Sequence, residues 1–204
     1  MRKFKFFINC DKEEKWLSDM LQKGYELESV SFGYKFHSIK QGNSKIRIDY
    51  RTFKKKEDFI DYCSMFSDSG WKHLIGSRWS EAQYFKNNSE NNEEDIFSDS
   101  MSKAGKYKRL SNMRMGSAVC FFIMSVAYIS GGYIKVESIL NPKLLYLTPV
   151  LWERTGVAFW RRFLLETPFV ILRGFIWIVP LAMVIYIFLL IKARASYNKQ
   201  KKSN

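Results

Sequence analysis

Two stretches of this chain run without a charged residue for as long as a helix needs to cross a lipid bilayer. Residues 115–134 form a 20-residue uncharged run, and residues 174–191 form an 18-residue one that residues 168–172 extend on its N-terminal side. About 20 apolar residues, rising ~1.5 Å each as a helix, span the ~30 Å hydrocarbon core. Runs this long are rare as buried core helices in a chain of 204 residues. The pattern predicts a hairpin of two transmembrane helices, at 115–134 and 168–191.

Charge placement orients the hairpin. The net charge of +13 arises entirely from residues 103–204, which hold 16 Lys/Arg against 3 Asp/Glu, whereas residues 1–101 hold 17 of each. Lys103, Lys106, Lys108, Arg109 and Arg114 precede the first run, as a basic collar over 103–114. Lys192, Arg194, Lys199, Lys201 and Lys202 follow the second, as a basic tail over 192–204. Cationic flanks stay on the cytoplasmic side, so both ends are expected inside the cell membrane and residues 135–167 outside. Lys106, Lys108, Arg109, Arg114, Lys192 and Arg194 are then candidates for contact with anionic headgroups. Because the positive charge flanks apolar runs, the membrane surface and not nucleic acid is the expected partner. Within the loop, Trp152, Gly156, Phe159, Trp160, Phe163 and Leu164 recur at helical spacing, with Glu153, Arg154, Arg161 and Arg162 on the other side. This predicts an amphipathic interfacial helix carrying Trp152, Phe159, Trp160 and Phe163, with Thr167-Pro168 opening the second span. Pro180 lacks the donor that the carbonyl of Ile176 would accept, which allows a kink.

Residues 87–102 read as an acidic, flexible linker, poor in aromatics. It follows an N-terminal domain, expected in the cytoplasm, over residues 1–86. Met1 to Cys10 alternates and lacks the apolar core of a signal peptide. Cys10, Cys63 and Cys120 show no paired spacing and read as free thiols. An internal repeat with an offset of about 46 residues runs through the domain. Each copy has a strand (3–9, then 45–53), a helix (11–23, then 57–69) and a strand pair (ending at 39, then at 86). Gly24 and Gly70 fall just past the helices, where a left-handed cap favours a residue without Cβ. Trp16, Leu17, Met20 and Leu21 form one helix face; Phe59, Ile60, Cys63 and Phe66 form the other. Phe4, Phe6 and Ile8 alternate with Lys3, Lys5 and Phe7, and Ile46, Ile48 and Tyr50 alternate with Lys45, Arg47, Asp49 and Arg51. The expected class is α+β, a duplicated β-α-β-β domain, loosely ferredoxin-like, with one antiparallel sheet and two helices on one face. Tyr34, Phe36, Arg47 and Arg51 fall on the opposite sheet face, which is either a partner-binding face or simply a solvated one.

These residues resemble a known family. The start Phe6-Phe7-Ile8-Asn9, then Asp11, Glu13, Trp16 and Leu17, followed by the segments KGYEL at 23–27, KIRIDYR at 45–51 and SGW at 69–71, and by Arg78-Trp79 and Tyr84-Phe85, is similar to the bacterial family numbered 2812 among the domains of unknown function. The resemblance covers about residues 1–90. The first helix-terminal dipeptide here is Gly-Tyr where that family more often shows Gly-Trp. Similar members often carry two C-terminal spans, and their genes often neighbour those of PadR-type repressors. The resemblance therefore implies a regulatory role, and it supplies no activity, cofactor or catalytic residue.

The residues themselves predict no enzyme. His37 and His73 lie at no metal-ligand spacing from each other or from a Cys, so neither a metal nor a cofactor is expected. The phosphate-loop, zinc-protease and serine-hydrolase motifs are absent. Asp49, flanked by Arg47 and Arg51, reads as an ion-pairing residue, and Glu81 stands alone. Two functional readings follow. One is a membrane-tethered sensory or regulatory protein whose cytoplasmic domain binds a protein partner, such as a PadR-type repressor. The other is a small immunity or resistance factor acting through the hairpin. A membrane-bound enzyme is the third and weakest.

Overall fold

The computed structural model describes residues 1–42, 44–87, 96, 100–148 and 150–202, with the side chains of residues 100 and 101 excepted. The chain forms two compact units. Met1–Met113 together with Leu189–Asn204 make the first, and Arg114–Phe188 make the second.

The first unit is a mixed α+β body. Its strands are β1 (Arg2–Lys3), β2 (Tyr25–Ser31), β3 (Gly33–Ser38), β4 (Ile46–Tyr50), β5 (Trp71–Ile75) and β6 (Ala82–Asn87). Helix α1 (Cys10–Gln22) follows β1, and α2 (Lys56–Asp68) follows β4. The strands make two three-stranded antiparallel sheets, in the orders β1-β3-β2 and β4-β6-β5. The single sheet expected from the sequence is therefore divided: β2 and β5 run close to each other but share no ladder. Lys86 on β6 reaches across to Glu26 on β2 at 2.7 Å.

Local chemistry sets the helix ends. Asn9 takes an extended conformation and its Oδ1 accepts the Asp11 N–H at 2.8 Å, which caps α1. Past each helix the chain turns back through a glycine with positive φ, +84° at Gly24 and +80° at Gly70. A Cβ at Gly24 would also stand 3.0 Å from the Ile39 carbonyl oxygen, so backbone conformation and space both require glycine there. Each sheet carries one register shift, between Leu27 and Ser29 in β2 and between His73 and Ile75 in β5, at the same 46-residue offset that separates the two glycines.

The expected first strand is cut short. Lys3 pairs with Tyr34, but β3 begins at Gly33, so the ladder has no partner beyond Lys3. Phe4 and Phe6 remain 77% and 79% exposed. It is Phe7, from the opposite phase of the alternation, that packs on Trp16 with ring centroids 5.2 Å apart. On α2 the inward face is Phe59, Tyr62, Cys63 and Phe66, while Ile60 is exposed.

The second unit is built from apolar helices. Helix α3 (Ser100–Ser130) supplies residues to both units, as does α5 (Ile178–Lys202); α4 (Gly156–Phe175) lies wholly in the second. Two helical segments, Ser102–Ser130 and Gly156–Lys202, are long and apolar enough to cross a membrane. Phe121 stacks on Tyr186 at 5.3 Å, bringing α3 and α5 together. Three short 3-10 turns, Val136–Ile139, Pro142–Leu145 and Leu151–Glu153, connect α3 to α4.

Helical structure departs from the predicted spans in three places. The basic residues 103–114 continue into the apolar run as one helix, and the basic tail is helical through Lys202. Pro168 does not open a helix but lies inside α4, which runs on to Phe175. The break comes at Ile176–Trp177 instead. There the Val179 N–H donates to the Ile176 carbonyl at 3.1 Å, in an i to i+3 bond. Pro180 has no N–H to offer that carbonyl, so the helix restarts with proline in its first turn. Of the expected linker, Asn87 ends β6 and Ser100 opens α3; residues 88–95 and 97–99 lie outside the described residues.

Candidate functional site

The densest polar chemistry lies where α1 and the start of α3 meet the free edge of β4. In the order β4-β6-β5, one side of β4 has no strand partner among the described residues. Bare strand edges invite pairing with other chains. Here α1 covers the edge. The Ile46 N–H donates to Ser18 Oγ at 2.9 Å, and the Ile48 N–H donates to Glu14 Oε1 at 2.9 Å. Further along, Arg109 of α3 donates from Nε to the Tyr50 carbonyl at 3.0 Å.

Two ion pairs complete this clasp. Lys106 has a side chain that is 0% exposed, and its Nζ lies 2.5 Å from Glu14 Oε1. Arg109 Nη2 lies 2.5 Å from Asp49 Oδ1, and Asp49 Oδ2 accepts from the Tyr62 hydroxyl at 2.9 Å. Between them Tyr107 donates to Asp11 Oδ1 at 2.5 Å, with Cys10 Sγ 3.6 Å from its hydroxyl oxygen. A buried ion pair contributes little net stability, because desolvation offsets its attraction, but removing one partner strands the other. The clasp therefore fixes the register of α3 on the sheet edge more than it strengthens the fold.

Glu13 sits beside the clasp. Its Oε1 accepts from the hydroxyls of Tyr34 and Tyr84, both at 2.9 Å. Burial raises its pKa above the usual glutamate range, and the two tyrosine hydrogen bonds only partly restore it. The same burial, reinforced by the Glu13 carboxylate, holds the Tyr34 and Tyr84 hydroxyls protonated. The Cys10 thiol is pushed up to about 11, mainly by burial, so it is a packing group and not a nucleophile at neutral pH. Among the described residues, all three cysteines are free, no acidic, His or Cys cluster could hold a metal, and every buried side-chain nitrogen or oxygen has a partner.

The residues singled out from the sequence are distributed differently from their expected roles. Tyr34 and Phe36 belong to the core, with Phe36 only 1% exposed, and are not on an outer sheet face. Both pack against Trp16 of α1, which fixes which side of the sheet is inside. Arg47 lies 3.9 Å from Glu14 Oε2. Arg51 is exposed and lies over the rings of Phe53 and Tyr62, beside a groove of about 500 Å³ that Asp58, Asp61 and Met65 also line. Lys106 and Arg109, expected on the membrane surface, pair with carboxylates of the α+β unit instead. Lys108 and Arg194 line one shallow groove with Tyr197. Arg114 lies over the Tyr186 ring, and Lys192 is exposed. His37 faces Glu26 at 3.3 Å; His73 bonds Gln83 at 3.0 Å and packs edge-on against Phe59 and Phe85. Glu81 is exposed, its carbonyl accepting from the Arg51 N–H.

In the second unit the predicted interfacial aromatics meet, but not along one helix. Trp152 sits in a 3-10 turn and folds onto Phe159 and Phe163 of α4, while Tyr146 stacks on Phe163 at 5.4 Å. Trp160 packs edge-on against both phenylalanines. Glu166 fastens the loop to α4 by accepting from the Leu147 N–H and from the backbone and hydroxyl of Thr148. Arg173 donates to the Leu145 carbonyl at 2.8 Å and lies 3.5 Å from Glu166.

Glu14, Tyr107 and Tyr84 carry the clasp and its surroundings without having been singled out. A signal for two of them was present. Glu14 shares a helix face with Leu17, Ser18 and Leu21, and Tyr107 shares one with Leu110 and Arg114; charged or polar groups interrupting an apolar stripe ask for buried partners.

The fold and clasp define an α+β unit followed along the chain by segments long and apolar enough to cross a membrane. A family model described as "Protein of unknown function (DUF2812)" matches residues 9–119, and the chain belongs to that family. The match runs beyond residue 90, across Lys106, Tyr107 and Arg109 and into the apolar part of α3. No curated protein and no solved structure matches the chain.

Proposed function

We propose that the chain is a membrane-tethered regulatory protein that acts by binding and not by catalysis, with its α+β domain in the cytoplasm. The observation that carries this is the clasp. Helix α3 holds the edge of β4 through Lys106 and Arg109 and continues, with no break, into an apolar run. A tilt, rotation or piston movement of that run would pull directly on Glu14 and Asp49. Cationic flanks on both apolar segments support an orientation with both termini inside the cell. Lys108, Arg114, Lys192 and Arg194 are the residues we assign to anionic headgroups on that side. We read the two β-α-β-β halves as copies of one unit in a loosely ferredoxin-like domain, supported by their matching strand orders, glycines and register shifts.

The partner we propose is a protein docking at the Arg51 groove, where Asp58, Asp61 and exposed Met65 offer charge and apolar surface together. The resemblance to a family encoded beside PadR-type repressors makes such a repressor the first candidate. The test is in-cell crosslinking of the full-length chain with a photoreactive residue at position 51 or 65. A regulator captured there, and lost in Arg51→Glu, supports the reading. No captured protein, together with unchanged expression of neighbouring genes on deletion, overturns it.

A hairpin-based resistance factor is the second reading, favoured by the braced loop that Glu166 and Trp152 build in the apolar unit. Protection of cells by residues 103–204 expressed alone would favour it over the first.

A further inference from the structure

Three arginines on the loop side of α4 have work that the fold does not give them. Arg154, Arg161 and Arg162 line a cleft of about 620 Å³ whose walls also include Thr148, Leu165 and Phe169. Among the described residues none of the three guanidinium groups makes an ion pair or hydrogen bond. The acidic group in the cleft, Glu166, is already engaged by Leu147, Thr148 and Arg173. Thr155 makes no side-chain cap hydrogen bond to α4, and Ala158 of the first turn of that helix, its positive end, lines the same cleft.

Below the arginines the surface turns apolar. Leu165, Phe169 and Leu172 follow one another along one side of α4, each 59–66% exposed. A soluble anion would leave that strip in water. An anionic amphiphile satisfies both parts: its phosphate takes the guanidinium groups and its acyl chain lies along the apolar strip.

We propose that Arg154, Arg161 and Arg162 form a binding site for the phosphodiester headgroup of an anionic phospholipid, with Leu165, Phe169 and Leu172 receiving the chain. This rests on the membrane reading above and goes beyond it, because it assigns a selective headgroup site where membrane residence alone needs none.

The experiment uses the full-length chain in nanodiscs of phosphatidylcholine doped with a spin-labelled phosphatidylglycerol. Each basic residue near an anionic surface contributes on the order of fivefold in affinity. The triple variant R154Q/R161Q/R162Q is therefore expected to lose on the order of a hundredfold of the preference for the labelled lipid. The variant K199Q/K201Q/K202Q removes the same charge elsewhere and is expected to keep most of it. Equal loss in both variants, or none in the first, overturns the site. Displacement of the label by inorganic phosphate or by a polyglutamate peptide as readily as by unlabelled phosphatidylglycerol also overturns it. Carbonate extraction separates the two levels: release of the chain from membranes sinks the membrane reading, whereas retention without headgroup preference sinks this proposal alone.

Discussion

The two β-α-β-β halves of the first unit share a strand order but fill their interiors in different ways. The interior beside α1 packs aliphatic side chains, Leu17, Leu21 and Leu27 with Ile46 and Ile48 of β4, around carboxylates and tyrosine hydroxyls, one of them that of Tyr84 on β6. The interior beside α2 packs rings: Phe53, Tyr62, Phe66, Trp71 and Phe85, with Phe59 and His73 at their margin. Strand order is set by glycine turns and register, which both halves have, and so it tolerates either filling. The difference lies in what each half must receive. The interior beside α1 takes in Lys106 from the start of α3, and a cation entering an interior needs an acid, here Glu14, waiting for it. The interior beside α2 closes mainly with tilted and edge-on rings, each pair contributing on the order of 1 kcal/mol beyond burial, and meets α3 only at its margin, where Asp49 joins Tyr62 to Arg109.

The largest test removes the cation. Lys106→Ala leaves buried Glu14 with only the Ile48 N–H and the more distant Arg47 to meet its charge, and the α+β unit should lose up to about 3–5 kcal/mol in chemical unfolding of the detergent-solubilised chain. Lys106→Met combined with Glu14→Gln should recover most of that loss. A cost below about 1 kcal/mol for Lys106→Ala, the range of an exposed pair, would mean that the first half is not organised around its clasp.

A ring substitution probes the other filling. Phe85, with no exposed surface, touches Tyr62, Phe66 and His73. Phe85→Leu keeps an apolar group and should still cost about 1–2 kcal/mol, through lost ring contacts and imperfect filling. A neutral result would reduce the second core to volume alone.

Those two substitutions also mark how far the sequence could be read. The ring-rich filling was partly visible, because Phe59, Cys63 and Phe66 recur at helical spacing. Tyr62 broke that pattern from within: its hydroxyl reaches Asp49, so a polar atom on α2 turns inward while apolar Ile60 turns out. The clasp was not visible. Lys106 sits in a run of cations before an apolar stretch, which ordinarily marks a membrane surface, and its partner lies 92 residues away. No local spacing encodes such a pairing.

Helix entry gives a smaller contrast between the halves. Asn9 caps α1 through its side chain, whereas Lys55 at the start of α2 makes no side-chain cap. Asn9→Ala should cost about 1 kcal/mol, and Lys55→Ala should change stability by less than about 0.5 kcal/mol. Equal costs at the two positions would erase the distinction.

The smallest effect is a slope with pH. Burial raises the Glu13 pKa, so the folded chain holds that proton where the unfolded chain has released it. The folded state then binds more protons, and this contribution to stability is lost as pH rises above the ordinary glutamate range of about 4. Relative to Glu13→Gln, the wild-type chain should become less stable as pH rises from about 4 through the raised Glu13 pKa. Parallel curves for the two proteins would show that Glu13 ionises freely and that the first core is less closed than its hydrogen bonds imply.

By itself the sequence determined the elements that depend on neighbours along the chain. Length without charge marked both apolar segments, alternation marked β4, and Gly24 and Gly70 marked the helix ends, because each is a local steric or solvation requirement. Tertiary structure decided what depends on distant partners. It divided the expected sheet in two, took Tyr34 and Phe36 into the core, and stopped the first strand where β3 ran out. It also gave Lys106 and Arg109, expected at a membrane surface, carboxylate partners in Glu14 and Asp49. The physical reason is the same in each case: a hydrogen bond or ion pair is specified by position in space, and periodicity along a chain says which way a side chain points but not what will be there to meet it.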